Sequence, residues 1–336
     1  MTLSVPRYPR GAGRFAPTPT GDLHLGNART AFLAYLAARK LGLRHILRVE
    51  DLDPSAIPSG CLEGQYADLD WLGLIYDEGP RVGGPAGPYR QSARYPQFDA
   101  VLRALDAKGL LYPCWCSRKE VRMAARAPHA SDEGPVYGGT CKPAQCASLG
   151  ALDALPKRRG RAPALRLDVA GALARLGVDT LAYQDDVAGE HEVDVLGTMG
   201  DFVVRRVDGV AAYQVACAWD DVAMGCSQVL RGADLLASAA RQSLLLRVLG
   251  LPEPRYAHVG LVVDAEGKRL AKRDASIRLR DIRARGLCAS ETVRLLARMS
   301  GLPDTADWDF LTDAFSLSKL TIEPVRLPRH SVLDTT

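Results

Sequence analysis

The chain has 336 residues, 47% of them hydrophobic, and a formal net charge of +4, so it can bury a core in about two or three substructures. It contains no run of about 18 apolar residues, and Met1–Arg10 has no apolar centre, which argues against a membrane span and a signal peptide. Eight cysteines at uneven spacings favour a reducing, cytoplasmic location with a local metal site over a disulfide framework.

The first predicted elements form a βαβ unit. Residues 14–16 form the end of a predicted first strand, and a helix is predicted over about 24–40. The run 44–50 is rich in β-forming residues and ends with an acidic residue, Glu50. A strand, a crossover helix and a second strand indicate a parallel sheet, whose ligands bind at the carboxyl ends of the strands. Arg14 and Glu50 both lie at such ends.

Further elements are predicted along the rest of the chain. Helices are expected over about 60–72, 94–108, 235–249 and 289–299, and strands over about 164–168, 202–207, 211–217 and 256–263. The stretch 111–146 contains cysteine, Gly and Pro with little periodicity. We predict a polar linker over 147–163, which includes the basic run Lys157-Arg158-Arg159-Gly160-Arg161, and a docked or frayed tail past Gly301.

Two short motifs, far apart in the chain, indicate nucleotide chemistry. His24-Leu25-Gly26-Asn27 lies at the mouth of the first helix, where unpaired N–H groups and the helix dipole favour phosphate. Gly26 permits close approach, and His24 can donate a hydrogen bond to a reacting phosphate. The second motif, from Gly267 to Arg273, is a basic loop that can place Lys272 on a departing pyrophosphate. The alternatives are an ordinary helix start and a solvated basic turn.

Together the motifs resemble the signature pair of the class I aminoacyl-tRNA synthetases, HIGH and KMSKS, the second being Arg269-Leu270-Ala271-Lys272-Arg273 here. The stretches 13–21, 48–53 and 229–236 resemble the glutamyl branch, and the likeness covers roughly residues 10–285. The resemblance implies an α/β fold, with the Rossmann-type parallel-sheet catalytic core of class I synthetases and a zinc-bearing insertion. It also implies Mg²⁺ accompanying ATP.

A glutamate site needs an acid for the ammonium group and a guanidinium for a carboxylate. From the residues alone, Arg14 and Arg231 are candidate carboxylate ligands, and Glu50 is a candidate partner of the ammonium. The resemblance implies a glutamate pocket of Arg14, Phe15, Ala16, Pro17, Thr18, Glu50, Tyr213 and Arg231. It implies an ATP site of His24, Gly26, Asn27 and Lys272, with His24 and Lys272 catalytic. The alternatives are a strand aromatic for Tyr213 and a solvated acidic loop for Glu50 and Asp51.

Cys114-Trp115-Cys116 and Cys141 form a third constellation. Three thiolates at this spacing can close around zinc, and His129 and Cys146 are the generic candidates for a fourth ligand. The Cys-x-Cys and Tyr-x-x-x-Cys pattern resembles the glutamyl-queuosine tRNA(Asp) synthetase family, which implies Tyr137 instead and one structural Zn²⁺ per chain. The alternative is a set of structural cysteines without metal.

The resemblance also implies a division of the chain. Its parts are a first catalytic half (1–110), an inserted zinc-bearing and acceptor-contacting region (111–200), a second catalytic half (201–262), the KMSKS-like loop with a helical segment (263–300), and a tail (301–336). About sixty residues follow Arg273, too few for an anticodon-binding domain, so none is expected.

The expected reaction is ATP-dependent activation of L-glutamate and transfer of the glutamyl group to queuosine at the wobble position of tRNA(Asp). The anticodon arm of that tRNA would enter the catalytic cleft of a monomeric enzyme. One rival is a truncated glutamyl-tRNA synthetase that charges the tRNA 3′ end. The other is a non-catalytic RNA-binding paralogue, for which Ala271 in the signature loop leaves room.

Overall fold

The protein is described from a computed structural model, which covers residues 3–124, 136–158, 160–264, 267 and 277–327. Its helices are α1 Leu25–Lys40, α2 Cys61–Trp71, α3 Tyr95–Ala107, α4 Arg118–Ala124, α5 Val169–Leu176, α6 Val195–Thr198, α7 Tyr213–Ala223, α8 Leu236–Leu249, α9 Leu279–Ala284, α10 Ala289–Met299 and α11 Trp308–Ala314. Its strands are β1 Ala12–Phe15, β2 Arg44–Leu47, β3 Leu111–Cys114, β4 Ala164–Leu167, β5 Leu181–Asp185, β6 Gly189–Val193, β7 Val203–Arg205, β8 Gln228–Gly232, β9 Arg255–Val259, β10 Val262–Val263 and β11 Val325–Arg326.

A set of parallel strands forms the centre of the fold. β1 pairs with β2, β8 pairs with β9, and β9 pairs with β5, all in parallel, while β6 adds an antiparallel edge. A parallel bridge between Ala12 and Cys226 places β1 beside β8. The carboxyl ends of β1, β2, β8 and β9 therefore share one edge of the sheet, as the βαβ pattern predicted, and the α/β class is confirmed.

Helix α1 is buried on almost every side, because it packs between the sheet and the C-terminal part of the chain. The Trp308 ring on α11 lies 5.6 Å from the Phe32 ring and 4.9 Å from the Tyr35 ring, centroid to centroid. β11 pairs in parallel with β10, so the described part of the predicted tail is docked and not frayed. Among the described helices, none is long and apolar enough to cross a membrane.

A second, antiparallel sheet carries the cysteine-rich region. Its order is β3-β4-β7, and Cys114 at the end of β3 lies opposite Ala164 at the start of β4. The stretch 111–146, which showed little periodicity, thus begins with a strand and continues into α4, and 152–154 forms a short helical turn in the predicted linker. The domain division stays a prediction.

The predicted strand over 211–217 is wrong, because α7 begins at Tyr213 and runs to Ala223. Every residue from Val215 to Ala223 is buried, so the helix shows no polar face that would reveal its period. The prediction for 256–263 covered β9 and β10 together. These are separate strands, interrupted at Gly260.

A substitution at Gly260 can test the close packing between this residue and the backbone at 321–323. A Cβ atom there would lie 1.7 Å from the carbonyl oxygen of Glu323, and the Gly260 amide donates to Thr321 O at 2.8 Å. We expect Gly260→Ala to lower the free energy of unfolding by about 1–3 kcal/mol, because the backbone at 323 must move. Urea unfolding measures this.

The matched control is Gly64→Ala in α2, where an added Cβ would meet nothing within 4 Å. That change should raise stability by about 0.5–1 kcal/mol, since alanine favours a helix interior. Equal stability of Gly260→Ala and the unsubstituted protein would contradict the described contact between Gly260 and Glu323.

Candidate active site

A cavity of about 590 Å³ opens at the carboxyl edge of the parallel strands. It is lined by Arg14, Phe15, Ala16, Pro17, Thr18, Glu50, Tyr213 and Arg231 of the predicted glutamate pocket, and by His24, Gly26 and Asn27 of the predicted ATP site. Lys272 lies outside the described residues. The structure therefore brings the described part of both predicted sites together in one space.

Arg14 and Glu50, which line this cavity, belong to a buried ion network whose other members, Arg48 and Asp221, sequence reasoning missed. Arg48 Nη1 donates to Asp221 Oδ1 at 2.6 Å, and Arg48 Nη2 donates to Glu50 Oε1 at 2.9 Å. Arg14 Nε donates to the same Asp221 oxygen at 3.1 Å. Two guanidiniums and two carboxylates thus balance one another out of water, which buried charges require. The two-residue spacing of Arg48 and Glu50, which puts both on one face of an extended chain, was the available signal.

The charge state of Asp221 follows from its neighbours. Burial by itself raises the pKa of this carboxyl group, but the Arg48 and Arg14 guanidiniums outweigh burial and hold the pKa below its usual value. Asp221 is therefore ionised at neutral pH. Because it is only 1% exposed, it acts as an internal counter-ion and orients Arg14 along the cavity wall.

Arg231 is held by a second buried set of contacts. Its Nε donates to His258 Nε2 at 2.9 Å, its Nη1 donates to Gln242 Oε1 at 2.8 Å, and its Nη2 donates to Leu235 O at 3.3 Å. A guanidinium has five N–H donors, so these three contacts leave two of them for a ligand in the cavity. The protein thus orients Arg231 before a ligand arrives.

His258 can accept from Arg231 only in one tautomer. Its Nδ1 lies 2.5 Å from Asp185 Oδ2, and both side chains are fully buried. Burial lowers the pKa of His258 despite this carboxylate, so the ring is neutral. Burial raises the pKa of Asp185, but the bond from His258 and the Val187 and Ala188 amides hold it below its usual value. Asp185 therefore keeps the proton on Nδ1 and leaves Nε2 as the acceptor.

His24 is the N-cap of α1. Its Nδ1 accepts from the Gly26 amide at 3.1 Å and from the Asn27 amide at 3.3 Å, and Asn27 Oδ1 accepts from the His24 amide at 3.3 Å. This corrects the expectation that those two amides are unpaired and available to phosphate. Because Nδ1 is an acceptor, the proton of the neutral ring resides on Nε2. A Cβ atom at Gly26 would lie 3.0 Å from the His24 ring, so glycine at this position leaves room for the ring in its capping position.

The turn that carries His24 is attached to the C-terminal quarter of the chain. The Leu25 amide donates to Ile277 O at 3.0 Å, and the Leu279 amide donates to Leu23 O at 2.9 Å. Arg278 pairs with His24 in an antiparallel bridge between these two bonds. The residues just after the predicted KMSKS-like loop thus adjoin the HIGH-like motif.

The alternatives for three predicted residues can now be assessed. Glu50 is 7% exposed and Asp51 is 1% exposed, so neither belongs to a solvated acidic loop. Asp51 accepts from the amide and hydroxyl of Ser92, at 2.9 and 2.7 Å. Tyr213 is the first residue of a helix and not a strand aromatic. Burial raises the pKa of Tyr213 well above its usual value, so its hydroxyl is a hydrogen-bond donor at the cavity.

The cysteine constellation forms a second candidate site. The sulfur atoms of Cys114, Cys116 and Cys141 lie within 4.8 Å of one another, so this cluster could hold a metal ion. The Tyr137 hydroxyl lies 3.4 Å from Cys114 Sγ and 3.7 Å from Cys116 Sγ. The Cys141 amide donates to it at 2.7 Å, which fixes its place.

The other candidates for a fourth ligand differ from Tyr137. In the part of the chain that is described, Cys146 is not a member of the sulfur cluster. His129 falls outside the described residues. Three thiols and one phenol form a donor set that suits zinc, which takes four ligands and prefers sulfur.

Comparisons with known proteins agree on one family. The family model for class I tRNA synthetases (E and Q), catalytic domain, matches residues 12–323. The chain is 45% identical to the glutamyl-Q tRNA(Asp) synthetase of Symbiobacterium thermophilum, over 95% of this chain and 97% of that protein. It is also 45% identical to the glutamyl-Q tRNA(Asp) synthetase of Nitratidesulfovibrio vulgaris, over 87% of each protein.

Glutamate–tRNA ligases are similar as well. The chain is 40% identical to glutamate–tRNA ligase 2 of Alkalilimnicola ehrlichii, over 95% of this chain but 66% of that protein. Among solved structures, the glutamate-tRNA synthetase from Elizabethkingia anophelis superposes with a TM-score of 0.78 at 26% identity. That match covers 95% of this chain and 68% of the synthetase.

The contact between His258 and Arg231 predicts a positioning role. We expect His258→Asn to weaken binding of glutamate, the ligand predicted from the sequence, by about 10-fold or more, because Arg231 loses one of its three anchors. ATP binding should stay unchanged, since the side-chain hydrogen-bond partners of His258 among the described residues are Arg231 and Asp185, neither of them in the predicted ATP site. Calorimetric titration with each ligand measures both.

The control is His45→Asn, a fully buried histidine on β2 that does not line the cavity. It should lower stability without changing glutamate affinity. If His258→Asn weakened glutamate and ATP equally, the role of His258 would be structural only.

Proposed function

The chain belongs to the class I tRNA synthetase family for glutamate and glutamine, at its catalytic domain, and we propose that this ligase activates glutamate with ATP and transfers the glutamyl group to queuosine in tRNA(Asp). One observation carries the proposal. A single cavity contains two guanidiniums, from Arg14 and Arg231, together with the Glu50 carboxylate and the helix-capping His24. This combination suits an amino acid with a second carboxylate, placed beside a nucleotide.

Each end of glutamate has a suitable partner in the proposal. The two N–H donors of Arg231 that the protein does not use would bind one carboxylate, and the Tyr213 hydroxyl would add a third donor. Glu50, held by Arg48, would accept from the α-ammonium group. Arg14 also lines this cavity, where its terminal nitrogens would attract the other carboxylate as it approaches ATP.

Activation joins glutamate to the α-phosphorus of ATP. A carboxylate oxygen attacks that phosphorus, and pyrophosphate leaves with the electrons of the broken P–O bond. The His24 Nε2–H would donate to a phosphate oxygen as negative charge builds there, and Lys272, by its match to the signature loop, would neutralise the pyrophosphate. Mg²⁺ would enter with ATP and would shield the phosphate charges. In the second step a hydroxyl of the RNA attacks the carbonyl carbon, and AMP leaves.

The names of two relatives at 45% identity, both glutamyl-Q tRNA(Asp) synthetases, support queuosine in tRNA(Asp) as the acceptor. The proposal includes entry of the anticodon arm into the cleft and a cytoplasmic, monomeric enzyme. A glutamyl-tRNA synthetase activity at the tRNA 3′ end is the second candidate, favoured by the 40% identity to a glutamate–tRNA ligase. The presence of Arg14, Glu50, Arg231 and His24 in one cavity argues against a non-catalytic paralogue.

The acceptor can be tested with two preparations of tRNA(Asp) that differ only in queuosine. We expect ATP–pyrophosphate exchange with glutamate in the absence of any tRNA, and glutamyl transfer only to the tRNA that contains queuosine. The site of attachment is read by nuclease digestion and mass spectrometry of the labelled nucleoside. Glutamate found on the 3′-terminal adenosine, together with exchange that needs tRNA, would favour the second candidate.

We further propose that Cys114, Cys116, Tyr137 and Cys141 hold one structural zinc ion. The Tyr137 oxygen is already among the sulfur atoms and is fixed by the Cys141 amide, so little rearrangement is needed to coordinate an ion. The ion would tie the loop after β3 to the segment at 137–141. It would supply local stability and take no part in the transfer chemistry.

Metal analysis tests this assignment. Freshly purified protein should contain about one zinc per chain, and Cys114→Ser or Cys141→Ser should lose it, because each removes a thiolate ligand. Tyr137→Phe should bind zinc more weakly. The matched control is Cys146→Ser, which removes a nearby thiol and should keep the metal. No zinc in the unsubstituted protein would refute the site, and loss in Cys146→Ser alone would refute the role of Tyr137.

A further inference from the structure

The docked tail has no part in the mechanism above, yet it supports one wall of the cavity. Gly260, Leu261 and Val262 line the cavity, and we call residues 260–263 the wall segment. This segment follows the carboxyl end of β9 and continues into β10. A Cβ atom added at Gly26 would lie 3.7 Å from the Cβ atom of Val262, so the wall segment adjoins the predicted ATP site.

Backbone hydrogen bonds join the wall segment to residues 321–327, which we call the tail segment. The Gly260 amide donates to Thr321 O at 2.8 Å. In the opposite direction, the Val325 amide donates to Leu261 O at 2.8 Å. These bonds lead into the parallel pairing of β10 with β11. The wall segment is therefore part of a small sheet, because the tail segment supplies its partner strand.

Arg29, on the helix that His24 caps, also holds the wall segment. Its Nη1 donates to Gly260 O at 2.8 Å, and its Nε donates to Ser300 Oγ at 3.2 Å. The residue is only 3% exposed, and neither of these partners is a carboxylate. Burial lowers the pKa of Arg29 to about 10, which still leaves the guanidinium charged at neutral pH. Burying a cation beside neutral partners costs free energy that an apolar side chain would not, which indicates a functional use.

We propose that the tail segment and Arg29 are positioning elements of the nucleotide site, which hold the wall segment at the distance from the HIGH-like turn that ATP requires. The inference rests on the proposed function for one point, that ATP lies in the cavity beside His24. The proposed glutamate residues are held instead by the buried ion network and by His258. Loosening the wall segment should therefore weaken the binding of ATP and not of glutamate, because a ligand must then order the segment on binding.

The test compares the affinities for ATP and for glutamate in two variants. Val325→Pro removes the amide that donates to Leu261 O and changes no charge, whereas Arg29→Met removes both hydrogen bonds of the guanidinium. We expect each variant to bind ATP about 10-fold more weakly and to bind glutamate as the unsubstituted protein does. Calorimetric titration with each ligand measures the affinities, and urea unfolding establishes that each variant is folded.

The matched control is Arg39→Met, which removes a cation from the same helix. Arg39 donates to the Asp77 carboxylate and to Ile75 O, and neither of these described residues lines the cavity. This variant should leave both affinities unchanged.

Unchanged ATP affinity in Val325→Pro would overturn the inference, as would an equal loss of ATP and glutamate binding, which would make the role of the tail segment structural only. Should Arg29→Met fail to fold, Val325→Pro decides alone. If glutamate were transferred to the 3′-terminal adenosine while Val325→Pro still lost affinity for ATP alone, the proposed acceptor would fail and this inference would stand.

Discussion

The site depends on one constraint: four charges that are almost completely removed from water must balance. Arg48 is fully buried, and its guanidinium reaches both Asp221 and Glu50. Removing any one of the four side chains would leave a buried charge without its partner and would lower the free energy of unfolding by several kcal/mol. The four residues therefore depend on one another. Because Arg14 and Asp221 are far apart in sequence, this balance ties the first strand to α7. Arg14 and Glu50, which line the cavity, take their positions from this network.

The balance also explains which arginines are available to a ligand. Arg48 uses both terminal nitrogens inside the protein, whereas Arg231 uses three donors for support and keeps two. In the sequence, Arg48 comes just after a short strand and Arg231 lies within one. No sequence pattern distinguishes an arginine that binds inside the protein from one that binds a ligand. Only the three-dimensional partners, Asp221 for one and the neutral His258 for the other, make the distinction.

The predictable parts of the fold were those with a visible period or a motif. The first strand, α1 and β2 followed from the βαβ pattern, and the two signature motifs indicated where a nucleotide would lie. The helix α7 was missed because it is buried on all sides, and a continuous apolar run without alternation fits a strand as well as a helix. The hydrogen bond between His258 and Asp185 joins residues that are far apart in the sequence, and such a pair leaves no local signal. The cysteine cluster was found because its spacing is short and its residue type is rare.

The pairing of residues 23–25 with 277–279 bears on how the protein is made. A ribosome releases the chain from its N-terminus, so β1, α1 and β2 can assemble early from neighbouring segments. The turn that presents His24 gains its backbone partners only when Ile277 and Leu279 have been synthesised. Until then, a nascent chain contains its signature histidine with only the local capping contacts to Gly26 and Asn27. The reactive centre is completed only after residues 277–279 have been made, later than all the parallel strands at whose edge it lies.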